Sequence, residues 1–268
     1  MLDIDHDLHI HTNLSRCCHD PKTHVPEAIV RTAEDMGLRT IGFADHVWVN
    51  PDEEPNGFYR PQDESQIIRL RAALSDVRTD LRMLVGCEAE TIAPGRYGIT
   101  RAFAESLDFV LLACSHFHIR DLVAQPERDD VRGLADHLLL FFKAAVTSGL
   151  ATAIPHPLLP FGSEDRYDAA IATLSDGELE NAFGEAQRAG VGVEITTSFF
   201  PSTKGKKTWS LETPLRCLEV AKRVGCTFTF ASDAHDLDML RTLPQLRHFV
   251  DELGLTSDDL HPLVKPYP

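Results

Sequence analysis

No apolar run in this 268-residue chain is long enough to span a bilayer, and no charged stretch followed by an apolar one stands at its start. A membrane span and an export signal are therefore not expected, and a cytoplasmic protein is. Cations are also in short supply, with 26 Lys and Arg against 41 Asp and Glu for a formal net charge of -15. That balance argues against an extended nucleic-acid surface or an anionic membrane face, both of which favour basic patches. It leaves room for a small phosphorylated substrate bound through metal ions. The six cysteines have neither zinc-finger spacing nor the density of a disulfide framework, so reduced thiols are expected. No linker or break in composition interrupts the chain. Residues 1–268 are read as one domain, of a length that suits a single α/β barrel.

What is present is a rhythm. Leu2 to Ile10 reads as a strand, and Pro26 opens an amphipathic helix (Ile29, Val30, Ala33, Met36) that Gly37 can end. Strands follow at Thr40 to Ala44, Leu81 to Cys87, Phe109 to Cys114, Leu150 to Ile154, Val191 to Ile195 and Thr227 to Phe230. Between them lie helical patterns at about Asp63 to Thr79, Leu134 to Ser148, Ser175 (with Glu178 as a capping box) to Gly190, and Thr213 to Gly225. A last helix is expected over Leu237 to Leu253. After Gly37, Gly149, Gly190 and Gly225 an apolar strand follows within a few residues. Such βα alternation, with about seven strands, implies a mostly parallel sheet, closed as a barrel or left open.

Polar residues punctuate this rhythm at the strand ends. Asp7, His9 and His11 alternate along the first strand and would share a face, which lets two imidazoles grip one ion. Asp45 and His46 end the second strand, Glu88 and Glu90 the third, His116 and His118 the fourth, and His156 the fifth. Glu194 stands at the end of the sixth, and Asp233 and His235 follow the seventh. In a barrel these ends converge on one mouth, where active sites are built. His6, His24, His137, His248 and His261 fall outside these positions and are read as ordinary surface or helix residues.

The motifs Asp7-Leu8-His9-Ile10-His11-Thr12 with Ser15, Ala44-Asp45-His46, Gly86-Cys87-Glu88, Ser115-His116, Pro155-His156-Pro157 and Ser232-Asp233-Ala234-His235 together resemble those of the polymerase and histidinol phosphatase (PHP) family. The likeness runs over nearly the whole chain. It implies a distorted TIM-like (β/α)7 barrel, a centre of two or three divalent ions (zinc, manganese or iron), and phosphoesterase activity. Carried over by position, His9, His11, Glu88 and Asp233 would hold one ion, with Glu88 bridging to a second held by His116 and His156. His46, His235 and a residue of the loop after His11 would hold a third. The family places an Asp or His five to seven residues beyond the second histidine, where this chain has Arg16, Cys17 and Cys18, then His19 and Asp20. His19 is the expected ligand, ahead of Asp20; a thiolate from Cys17 or Cys18 would select zinc. His116 is preferred to His118, and Asp45 is read as a supporting group or proton carrier.

Two ions about 3.5–4 Å apart lower the pKa of a shared water and polarise a phosphoryl oxygen, so a bridging hydroxide can attack phosphorus in line. Asp233, His235 or Asp45 could move the proton. Lys204, Lys206 and Lys207, after the sixth strand, are candidate phosphate contacts, with Arg96 and Arg101 behind them. The loop from Val47 to Pro61, with Trp48, Phe58 and Tyr59, is long enough to cover the site or to pack on the barrel. The substrate expected is a small phosphorylated metabolite, histidinol phosphate-like or a nucleotide. An amidohydrolase-type hydrolase and a non-catalytic PHP module are the alternatives. No strand-end lysine suits the carboxylated bridge that the first of these commonly uses.

Overall fold

The structure, a computed structural model, describes residues 2–201 and 209–265. Its strands are β1 (His6–Ile10), β2 (Thr40–Phe43), β3 (Arg82–Val85), β4 (Cys87–Ala93), β5 (Arg96–Tyr97), β6 (Val110–Ala113), β7 (Ala153–Ile154), β8 (Gly192–Thr196) and β9 (Phe228–Ala231). Its helices are α1 (Pro26–Asp35), α2 (Ser65–Leu74), α3 (Arg101–Ala104), α4 (Val131–Thr147), α5 (Tyr167–Ala172), α6 (Asp176–Ala189), α7 (Glu212–Arg223), α8 (Leu237–Leu240) and α9 (Arg247–Glu252). The strands form a sheet in the order β1-β2-β3 and another in the order β5-β4-β6-β7-β8-β9. All neighbours are parallel except β4 and β5, as βα alternation requires.

The two sheets meet where the chain passes from β3 to β4 through Gly86. A Cβ at Gly86 would lie 2.5 Å from the Phe109 carbonyl oxygen and 2.6 Å from its ring, so only glycine lets the strand run on past Phe109. The strand expected at Leu81 to Cys87 therefore continues to Ala93. Glu88 and Glu90 lie within β4 rather than at a strand end. On the far side, β1 and the segment of β9 are laced by side chains as well as by backbone. The Phe230 amide donates to His6 Nε2 at 2.9 Å and the Ser232 amide to Asp7 Oδ1 at 3.0 Å, beyond which Ile10 and Ala234 form a parallel bridge. His6 is fully buried and stacks on Phe230, and His24 and His261 are buried outside any helix, so the surface-or-helix reading of these three is corrected, whereas His137 is a helix residue of α4 with a buried ring.

The outer layer follows local rules closely. Ser175 and Glu178 form the capping box of α6, and Gly190, at φ 68°, ends it in the left-handed conformation. The single helix expected at the C-terminal end is instead broken into α8, a 3-10 turn at Leu243–Leu246 and α9, because Pro244 lacks the amide a continuous helix needs. Among the described residues no helix is long and apolar enough to cross a membrane.

Candidate metal centre

Glu88 is the hub. Its Oε2 lies 3.4 Å from His9 Nε2, 3.5 Å from His11 Nε2 and 3.3 Å from His46 Nδ1. Its Oε1 lies 2.9 Å from His156 Nε2 and 3.6 Å from His116 Nε2. Asp233 Oδ1 stands 3.5 Å from the Nε2 atoms of both His9 and His11, which are themselves 3.2 Å apart. Five histidines from four strand ends thus converge on two carboxylates, nearly all of it buried. Among the described residues, three sets have ligand atoms within 4.8 Å of one another: His9, Glu88 and His156; His9, His11 and Asp233; and His11, Cys17 and His46.

The rings are aimed by groups behind them. His9 Nδ1 lies 3.0 Å from Glu194 Oε2, and His116 Nδ1 lies 2.9 Å from Glu90 Oε2. His156 Nδ1 contacts Ser115 Oγ at 3.1 Å, and His235 Nδ1 donates to the Asp233 carbonyl at 2.7 Å. A proton on Nδ1 leaves the Nε2 lone pair for a cation, the arrangement common to histidine ligands. Glu194 also accepts the His156 amide, and Tyr59 donates its hydroxyl to Glu90, each at close range (2.9 and 2.8 Å). Ser198 donates to the outer oxygen of Asp233 at 2.9 Å.

The electrostatics fit a metal. Burial works against charge on His9, but Glu194, Asp233 and Glu88 reverse it and raise its pKa well above the ordinary imidazole value. His116, with burial overcome by Glu90 and Glu88, is raised to about 9. Burial would push the Glu88 and Asp233 carboxyls up, yet the surrounding imidazoles hold both far below the usual range. Together they form a buried pocket with a strong preference for positive charge, carried by protons or by divalent ions.

Several expected residues are elsewhere. His19 is largely exposed and pairs with Asp236 at 3.1 Å, while Asp20 holds the turn to Thr23; in their place Cys17 reaches His11 and His46. The chain between Thr12 and Cys18 turns tightly, so residue 17 points inward and residue 19 outward. Asp45 accepts the amide and hydroxyl of Thr12 at 2.6 and 2.7 Å and fixes that turn, a supporting role that leaves it without access to the cavity. Arg96 is tied to Glu53 by two bonds, and Arg101 to the carbonyls of Gly149 and Ser148, so neither faces the site. Lys204, Lys206 and Lys207 lie outside the described residues. Glu90, expected at the mouth with Glu88, is found behind His116, and Tyr59, expected in the covering loop, holds Glu90; the two-residue period puts Glu88 and Glu90 on one face.

A cavity of about 450 Å³ opens on the centre, lined by Cys17, His46, Glu88, His116, His156, Asp233 and His235 on the polar side. Phe58, Ile119 and Phe161 line it too, with His118 and Asp121. Of the loop residues, Phe58 faces this cavity, whereas Trp48 packs on Tyr59 and bonds the Glu53 carbonyl, which fastens the loop down.

No family model matches the chain, and no curated protein matches it in sequence. Among solved structures it is similar to histidinol phosphate phosphatase (HisK) of Lactococcus lactis, complexed with zinc, L-histidinol and phosphate, with 18% identity, a TM-score of 0.55, and coverage of 94% of this chain and 95% of that one. A putative metal-dependent phosphoesterase of Bifidobacterium adolescentis also aligns, at 18% identity and a TM-score of 0.35, over 93% of this chain and 98% of that one. The chain thus has a fold like that of histidinol phosphate phosphatase, in agreement with the resemblance to the PHP family carried by its motifs.

Proposed function

We propose that the chain is a metal-dependent phosphoesterase that hydrolyses a small phosphorylated metabolite, and that its two sheets close as a distorted (β/α)7 barrel around the site. The observation that carries the reading is the placement of Glu88, with one oxygen among His9, His11 and His46 and the other between His116 and His156. A carboxylate so shared is suited to bridge two cations. The ligands are proposed to be His9, His11, His46, Glu88, His116, His156, Asp233 and His235, with Cys17 in place of His19. Divalent ions, when bound there, supply an acidified water and polarisation of a phosphoryl oxygen.

The chain's own groups supply the rest. Glu194 and Glu90 hold the His9 and His116 rings in register, and Asp233, bonded by Ser198, is proposed with His235 to move the proton. Lys204, Lys206 and Lys207 are proposed as the cations that capture the phosphate; their joint replacement by alanine should raise KM with a smaller change in kcat. The apolar lining of Phe58, Ile119 and Phe161 suits a ring-bearing substrate, as histidinol phosphate or a nucleotide would be. The test is elemental analysis of the purified protein, followed by a screen of phosphorylated metabolites with and without added manganese. Turnover of a phosphate ester that depends on metal supports the proposal, and a metal-loaded protein inert toward every ester overturns it.

A further inference from the structure

We propose that the centre is heterometallic, with Cys17 creating a sulfur-containing position that retains zinc beside carboxylate-containing positions that take manganese or iron. The inference rests on the reading that the site binds divalent ions and adds a difference between them. Of the three sets of converging donors, two contain a carboxylate, from Glu88 or Asp233, and the third joins the Cys17 thiol to His11 and His46, with Glu88 Oε2 beside the two imidazoles. Thiolate with imidazole favours zinc among the available divalent ions, whereas carboxylate with imidazole accommodates manganese and iron. His11 belongs to both the second and the third set, so the soft and hard positions are neighbours.

The sulfur is held where it is by a built turn. The Ser15 amide donates to the Thr12 carbonyl at 3.1 Å and the Cys18 amide to the Ser15 carbonyl at 3.2 Å. The Ser15 hydroxyl donates to Gln62 Oε1 at 3.2 Å, the Arg16 amide donates to the same oxygen at 2.9 Å, and Cys17 Sγ lies 3.1 Å from Ser15 Oγ. Asp45 anchors the start of the turn through Thr12. A second observation is that Cys17 lines the cavity together with His46, Asp233 and His235, so the sulfur faces the same space as the other donors. Cys18, one residue on, joins none of the three sets, so the assignment is specific to one of two adjacent thiols.

Cobalt substitution reads the sulfur directly. Metal-depleted protein titrated with Co²⁺ should develop a near-ultraviolet sulfur-to-cobalt charge-transfer band, which persists in Cys18→Ser and His19→Ala and is lost in Cys17→Ser. After exhaustive dialysis against Mn²⁺, wild type should retain one zinc equivalent that Cys17→Ser gives up. Cys17→Asp, which restores a ligand of the hard kind, should keep the total metal count yet lose both the band and the retained zinc, and so separates loss of sulfur from loss of fold. Cobalt binding without the band in wild type, or a band that survives in Cys17→Ser, overturns the inference and leaves the phosphoesterase reading intact. The band and the retained zinc in a protein inert toward phosphate esters would do the reverse. A wild type that binds no divalent ion would overturn both.

Discussion

The candidate metal centre and the α6–α7 layer both carry carboxylates and resolve their charges in opposite ways. On the outside, Asp176 is paired with Arg216 and Arg223 at 2.8 and 3.1 Å, Arg223 also meets Glu180 at 3.0 Å, and each helix ends at a glycine. Asp176, Glu180, Arg216 and Arg223 each have an opposite partner there and water besides, and each such pair contributes little. At the mouth, ring nitrogens face ring nitrogens and carboxylates are buried among them. Among the described residues, the three non-glycine residues with left-handed backbone are His156 (φ 32°), Leu158 (φ 62°) and Asp233 (φ 52°). Strain and unbalanced charge are thus concentrated where a cation would relieve them, and nearly absent where none is needed.

The sharpest way to break this contrast is at its hub. Glu88→Gln should abolish measurable turnover and reduce bound metal while the far-ultraviolet circular dichroism stays that of the wild type; near-normal rate and metal count in this variant would dissolve the distinction between the regions. One step out, Glu194→Gln keeps the shape but removes the charge behind His9. A loss of about 10–100-fold in metal affinity is expected, as for other groups that orient a histidine ligand. Calorimetric titration with Zn²⁺ reads it, and an unchanged affinity would mean that Glu194 only packs.

In the outer layer the effects should be smaller and confined to stability. Ser175→Ala removes the cap of α6 and should cost about 1 kcal/mol, seen in the denaturation midpoint, with metal content unaltered. The smallest effect concerns pH. Burial holds the His137 pKa below its ordinary value, with the bond to the Ala124 carbonyl only partly offsetting it. As pH falls through about 6.5 the unfolded chain takes up a proton there that the folded chain resists, so folding stability drops. His137→Phe keeps the ring packing against Phe117 and Phe141 and lacks that proton. The Tm advantage of wild type over the variant should therefore narrow from about pH 7.5 to about pH 5.5; a constant gap would mean that His137 protonates freely in the fold.

The βα order, the α6 capping box, the glycine-ended helices and the gathering of His9, His11, His46, His116 and His156 at one end of parallel strands are all local or periodic signals, and the sequence by itself determined them. Residue type and spacing of two or of 3.6 suffice to say which face and which end a side chain occupies. What only the tertiary structure decided depends on contacts between distant segments. Gln62, far along the chain, receives the turn after His11 and turns Cys17 inward and His19 out. Close approach of Phe109 required Gly86 and let β4 run on through Glu90. Glu53 and the carbonyls after α4 drew Arg96 and Arg101 away from the cavity. A loop has no period from which its direction can be read, so where it points is settled by the partners that the fold brings to it.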